Sequence, residues 1–551
     1  MHYLGRAFPA RERSPSDGAP LIRGAQQITH MRTTRPRSVA WLFAAILGFA
    51  SARTANAQSK EPYPGFDAYV TKAIQTWKIP GLSIAIVRND SVIYAKGFGV
   101  ASVQTHAPVN ERTLFEIGSS SKAFTATLIA MLVSDGKMHW DDKLAQYLPD
   151  FRMYDAVANE GVTLRDALTH RTGIARGELA WLGAGISRDE VLHRVRFLKP
   201  ESPFRSHYSY QNMMFLAAGQ AAGKAVGSSW DDLVRQRIFV PLGMTSTVAT
   251  SRGLTNPNVA APHGIDHDTD FVKPPFDADN IAPAGAILSN ALDMAQWLRF
   301  QLNDGAVAGK RLVSSAALRE THTPQILMGA GANGREDSAS VKRFSSYGMG
   351  WMIEDFRNQL SWQHGGNTLG MTAAVGMLPE KKVGVVVLSN MQGAALPMLL
   401  EEYVFDRELG APMRDWSAEA FERSRNQRRR ADSLQTVQLA GHPANAQPPI
   451  PLSAFAGTYA DSLYGEMTVS MKDGHLELAR GDIHAALEYW NVNNFKWLLP
   501  ITAPTGPTFI KFEITPENTV TGLYFGLGSD VTLLGRKGSG RGGRGGVAGA
   551  P

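Results

Sequence analysis

No cysteine occurs in the 551-residue chain. That excludes disulfides, a thiol nucleophile and a thiolate metal site together. Long apolar runs are also missing: the one from Val39 to Ala50 is about 12 residues, and none reaches the roughly 18 that suggest a membrane-spanning helix. No His and carboxylate spacing suggests zinc, and no metal or cofactor is expected. The formal net charge of +6 looks like an invitation to nucleic acid, but the chain lacks basic excess where it would matter. Residues 1–57 carry +6 and the tail from Arg536 carries +4, leaving −4 for residues 58–535. A mildly acidic body gives no argument for a polyanion partner.

What remains is an ordinary globular composition, 44% hydrophobic and 19% charged, in a chain long enough for two domains with disordered ends. From Met31 the pattern is that of a secretory signal: Arg32, Arg35 and Arg37, the short apolar run, then Ala55-Asn56-Ala57. An exported mature chain starting near Gln58 is expected, periplasmic or secreted, and initiation at Met31 would explain the polar residues 1–30. The expected boundaries are 1–57 for extension and signal, 58–413 for a main domain, 414–450 for a charged linker, 451–537 for a small β domain and 538–551 for a disordered Gly/Arg tail.

Within the main domain, Leu82 to Val87 and Ser91 to Ala95 are β-rich runs joined by Arg88-Asn89-Asp90, which predicts a hairpin. Apolar side chains at helical spacing predict helices over Lys122 to Val133, Trp181 to Leu198, Met213 to Ala225, Trp230 to Phe239 and Ala291 to Asn303. Strands return at Tyr347 to Ile353, Thr372 to Met377 and Val383 to Ser389, able to pair with the opening hairpin. Strands at both ends with helices between imply an α+β core. An Arg-rich helix and linker follow, then seven short β runs between Gly457 and Leu534 that suggest a barrel or sandwich.

The chemistry begins at Ser119-Ser-Ser-Lys122. A hydroxyl and an amine three residues apart at a helix start share one face. A serine needs a nearby base, which a lysine discharged by burial can supply, and the helix N-terminus offers N–H groups to developing negative charge. With Thr163-Leu-Arg-Asp-Ala-Leu-Thr-His170-Arg-Thr-Gly173, Pro241-Leu-Gly-Met244, Pro283-Ala-Gly-Ala286 and Tyr347-Gly-Met-Gly-Trp351, the chain resembles the serine β-lactamase and penicillin-binding family over about residues 62–400. The resemblance is to the branch of class C β-lactamases, D-aminopeptidases and carboxylesterases.

The resemblance implies a β-lactamase-like antiparallel sheet flanked by a helical subdomain. It also implies a Tyr-x-Asn motif, which Tyr210-Gln-Asn212 supplies, with Tyr210 preferred over Tyr208 as the proton shuttle. The third motif, His-x-Gly in this branch, falls on His364-Gly-Gly366-Asn367 and should lie on an edge strand. There His364 would orient substrate, Gly366 would let it approach, and the backbone amide of Asn367 would join that of Ser119 as an oxyanion hole. His364 in place of a lysine weakens the case for an anionic β-lactam. His170 is assigned no metal or triad role. The C-terminal region, opening at Phe455-Ala-Gly-Thr-Tyr459, resembles the lipocalin-like domain of some relatives, which can promote homo-oligomers or cap the site. The expected activity is cleavage of an ester or amide through an acyl-serine, in an S12-type hydrolase whose substrate is a short ester, a D-peptide, a peptidoglycan fragment or a β-lactam. A catalytically silent binding or assembly protein with the same fold is the alternative.

Overall fold

The computed structural model describes residues 60–266, 269–272, 277–329, 342–440, 446–497, 508–527 and 531–538. The expected signal segment, linker residues 441–445 and the tail from residue 539 lie outside the described residues.

Alternation in the strand Gly81–Arg88 explains how the main domain is layered. Leu82, Ile84 and Ile86 enter one core with Phe66, Val70, Leu399 and Tyr403, while Ala85 and Val87 enter another with Trp297 and Leu298. A strand buried on both faces reads as a nearly continuous apolar run, as this one does. The hairpin to Ser91–Gly99 turns at Asn89 and Asp90, both with positive φ, the pairing that suits a two-residue turn. The eight-stranded antiparallel sheet runs in the order Ser91–Gly99, Gly81–Arg88, Val383–Ser389, Thr372–Leu378, Gln359–Asn367, Met352–Phe356, Ser345–Tyr347, Ile326–Leu327. The chain's last main-domain strand thus closes on its first. Helices Phe66–Trp77 and Leu396–Glu408 cover one face; Ala291–Leu302 covers the other.

Helix Ser121–Ser134 has no polar face. Its residues 121–132 are all buried, with Phe124 stacked on Trp297 at 3.8 Å between centroids. A helix apolar all round belongs in an interior, and its single ionisable side chain, Lys122, is carried there with it.

Several sequence expectations are corrected. The helix foreseen from Trp181 to Leu198 is broken into Glu178–Trp181 and Arg188–Arg194, because Gly183 and Gly185 between them take positive φ. The strand foreseen from Tyr347 to Ile353 is two strands, Ser345–Tyr347 and Met352–Phe356, joined through Gly350. Gly350 has φ +76°, and a Cβ there would lie 2.8 Å from the Ala123 backbone. The third-motif strand Gln359–Asn367 is internal rather than an edge. Its pairing with Met352–Phe356 nevertheless ends at Gln363, so residues 364–367 have a strand neighbour on one side only. The Arg-rich helix expected ahead of the linker is present, running from Trp416 to Ala440.

The C-terminal domain is a closed antiparallel barrel of eight strands in sequential order. The strand missed from sequence is Ile483–Asn491: Ala485, Ala486 and His484 have little β preference, although burial alternates cleanly from Ile483 to Glu488. Rings fill the interior, Phe455, Phe495 and Phe512 lying 4.9 to 5.2 Å apart. The turn after His475–Arg480 docks on the glycine break of the main domain. Asp482 N–H donates to the Gly183 carbonyl at 3.0 Å, and Ile483 covers Gly183. Gly481 has φ +54°, and a Cβ there would sit 2.5 Å from the Gly183 oxygen.

Gly481→Ala is therefore expected to lower stability by at least about 1 kcal/mol more than Gly474→Ala, which bears only the backbone strain of a positive φ. Gly474, at φ +83°, has open space around its would-be Cβ. Equal losses in chemical denaturation would show that the docked turn contributes nothing.

Candidate active site

Three consecutive serines lead into the buried helix, and each has a different neighbour. Ser120 Oγ donates to the His364 carbonyl at 3.0 Å, tying the turn to the third-motif strand. Ser121 Oγ accepts from Ile287 N–H at 3.2 Å. Ser119, half-buried, has its Oγ 3.0 Å from Lys122 Nζ and accepts from the Tyr210 hydroxyl at 2.7 Å.

Lys122 is fully buried. Besides Ser119, its Nζ meets Asn212 Oδ1 at 2.7 Å and the Ala284 carbonyl at 2.8 Å. Burial holds its pKa well below the ordinary lysine value, with Glu178 opposing the shift and Arg176 reinforcing it; charge is expensive where water cannot reach. The Asn212 amide is oriented by its other end, where Nδ2 donates to Glu178 Oε1 at 2.8 Å. A carboxylate only accepts, so the amide oxygen must face the lysine. Glu178 Oε1 also accepts from Arg176 Nε at 3.1 Å, and the Arg176 guanidinium lies 5.0 Å from the centre of the Tyr210 ring. Burial raises the Tyr210 phenol well above its ordinary pKa despite the Ser119 hydrogen bond and the nearby arginine. Tyr210 is neutral at rest.

The structure brings Ser119, Lys122, Tyr210 and Asn212 into one hydrogen-bonded group. Tyr208 instead packs on Tyr347, with ring centroids 5.6 Å apart, and it is Tyr210 whose hydroxyl reaches Ser119. Asn212 serves the lysine rather than facing a substrate. Gly366 passes so close to the Ser119 turn that a Cβ would overlap the Ile117 carbonyl oxygen and lie 3.1 Å from Ser119 N. Gly118 takes φ +50°, and a Cβ on it would sit 2.8 Å from Asn367 N. These two glycines let the backbone amides of Ser119 and Asn367 stand side by side. The Asn367 side-chain oxygen accepts from Thr372 Oγ1 at 3.1 Å.

His364 is buried, and both ring nitrogens are spent inside the protein. Gly365 O, 2.6 Å away, can only accept, so Nδ1 carries the proton and Nε2 accepts from the Tyr347 hydroxyl at 3.0 Å. Burial and Lys122 lower its pKa to about 3, so the imidazole is neutral. His170, given no role from sequence, forms a wall of the site: its ring lies 4.3 Å from Tyr210 and 4.6 Å from Tyr347, and Nδ1 accepts from Gln211 N–H at 3.0 Å. It packs against the Tyr210 ring rather than hydrogen-bonding to it.

A family profile described as "Beta-lactamase" matches residues 66–404. The chain belongs to the beta-lactamase family. Residues 441–537 match a profile described as "Domain of unknown function (DUF3471)". The unguisins hydrolase ungD of Aspergillus violaceofuscus is 27% identical over 75% of this chain and 78% of its own. Penicillin-binding protein 4 of Amycolatopsis lactamdurans is 28% identical over 57% and 81%. Two solved structures share the fold. The octameric penicillin-binding protein homologue from Pyrococcus abyssi aligns with TM-score 0.55 and 22% identity, covering 85% of this chain and 98% of its own. The class C beta-lactamase from Rhodobacter sphaeroides aligns with TM-score 0.51 and 22% identity, covering 63% and 99%.

Within this family fold, the site contains residues that sequence reading missed. Tyr347 was read only as part of a strand and a family motif, and Arg176 and Glu178 belong to no periodic pattern. The last two had a signal, opposite charges two residues apart in the otherwise apolar stretch from Gly173 to Trp181.

Gly366→Ala is expected to cost about 1–3 kcal/mol of stability by forcing the strand off the Ser119 turn. It should also abolish labelling of Ser119 by a fluorophosphonate. Gly365→Ala, whose Cβ would meet nothing nearer than 3.5 Å, should stay near wild type. Equal behaviour of the two in thermal unfolding and labelling would contradict the close approach.

Proposed function

We propose that this chain is a serine hydrolase that cleaves an ester or amide through an acyl-Ser119 intermediate. The observation that carries the reading is the set of partners around the Lys122 amine. A neutral amine has two donors and one lone pair. Asn212 Oδ1 and the Ala284 carbonyl take the donors, which leaves the lone pair toward the Ser119 hydroxyl. A protonated amine would have no acceptor capacity to activate that hydroxyl.

In the forward reaction the Ser119 proton passes to Lys122 as Oγ bonds to the carbonyl carbon. The carbonyl oxygen becomes an oxyanion beside the Ser119 and Asn367 amides. Collapse breaks the bond to the leaving group, which takes a proton from the Tyr210 hydroxyl, and Tyr210 is reprotonated from Lys122. Water then attacks the acyl-serine by the same route and releases the acid. His364 sets the Tyr347 hydroxyl and the end of the third-motif strand rather than moving a proton. The names hydrolase and penicillin-binding protein among the relatives support the reaction class. Substrate candidates are short esters, D-peptides and peptidoglycan fragments. Export belongs to the same reading, on the segment from Met31 to Ala57; an intact mass placing the mature N-terminus far from Gln58 would overturn that part.

Wild type should label with a fluorophosphonate and turn over a chromogenic ester, and Ser119→Ala should do neither; equal labelling removes the nucleophile assignment. The value of kcat/KM should rise with pH as Lys122 loses its proton. Because Glu178 raises the Lys122 pKa, Glu178→Gln should move that rising limb to lower pH. A limb that moves up, or an inflection above pH 5 that vanishes in His364→Gln, would contradict these assignments.

A further inference from the structure

A hydrolase of this kind needs a way to choose among esters and amides, and the charges around Ser119 are unequal in what they offer a ligand. Lys122 is buried with its donors spent. His364 and His170 are buried; neither His364 nitrogen is free. Arg176 is different. Its side chain is 57% exposed, it lies against the face of the ring whose hydroxyl touches Ser119, and only its Nε is engaged, on Glu178. Among the described residues, Nη1 and Nη2 make no hydrogen bond.

We propose that Arg176 makes the Tyr210 side of the cleft a carboxylate subsite, so that the preferred substrate carries an anionic group one ring's length from the bond that Ser119 opens. The inference rests on the acyl-Ser119 reading and adds the substrate's charge to it. Guanidinium suits the task because its planar edge offers two parallel donors to a carboxylate, and its charge persists at every working pH. Here one edge is anchored by Glu178 and the plane is held near an aromatic face, so little side-chain freedom remains to be lost on binding. An ammonium-bearing substrate is the poorer fit. Glu178 is 19% exposed, and its Oε1 already receives donors from both Asn212 and Arg176; an incoming cation would also approach Arg176.

The test uses the full mature chain and two matched ester pairs, each corrected for spontaneous hydrolysis. The p-nitrophenyl monoester of adipate is compared with the hexanoate, placing the acid on the acyl side. The butyrate ester of 4-hydroxybenzoate is compared with that of 4-hydroxybenzamide, placing it on the leaving side. A 6-aminohexanoate ester tests the opposite charge. At low salt the acidic member of at least one pair should be preferred in kcat/KM by about tenfold, the scale of one charged hydrogen-bonded contact. That ratio should shrink with added salt, collapse in Arg176→Gln and recover in part in Arg176→Lys. If Arg176 serves only to hold Glu178, the substitution lowers both members of each pair by one factor and leaves the ratio intact, which overturns the proposal. So does the absence of acid preference in both pairs, or a preference for the ammonium ester. Turnover that survives in Ser119→Ala would instead overturn the acyl-serine reading on which the subsite rests.

Discussion

One lysine amine without water sets the terms for the rest of this molecule. Helix Ser121–Ser134 is buried over nearly its whole length, and the Lys122 side chain is fully buried with it. Its two carbonyl partners come from distant parts of the chain, Asn212 at the start of one helix and Ala284 at the end of another. An isolated ammonium in such a place would cost several kcal/mol. Burial eases that cost by biasing the amine toward its uncharged form. Around the amine each group faces a partner that fixes its orientation: Glu178 turns the Asn212 amide, Tyr347 and Gly365 fix the His364 tautomer, and His170 backs the Tyr210 ring.

Neutrality is the common property of this centre. Tyr210 keeps its proton, His364 and His170 stay uncharged, and Lys122 is biased toward the free base, all chiefly through burial. Formal charge is displaced to the Arg176 and Glu178 pair. Buried polar groups that satisfy one another stiffen a site, and half-satisfied ones weaken it. That is why so many residues here act on another residue and not on a ligand.

The fold was legible in sequence to the extent that apolar spacing decides it. The hairpin at Asn89 and Asp90, the strand from Val383 to Ser389 and the helix from Asn212 follow local rules. Where glycine overrides periodicity the reading failed: Gly183 and Gly185 break one helix, and Gly350 divides one strand because Ala123 lies against it. Those are demands of tertiary packing, invisible to a window of residues. At the site, Ser119, Lys122, Tyr210 and His364 were found because motif order is a sequence property. Arg176 and Glu178 were not, since what matters in them is a contact across the fold to Asn212 and Tyr210. His364 was legible as a member of the site, but its engagement at both nitrogens was not.

The docking of the barrel bears on how such a chain can be divided. In sequence the hydrolase ends near residue 413 and the β domain starts near 451, which looks like a clean seam. In space the seam runs elsewhere: the 481–482 turn closes over Gly183, five residues beyond Glu178. Cutting the chain at its composition boundary would strip the cover from a segment that leads directly out of the Glu178 helix. Modularity in the gene and modularity in the folded protein therefore do not coincide here, and an isolated hydrolase half is a different object from the same residues in the whole.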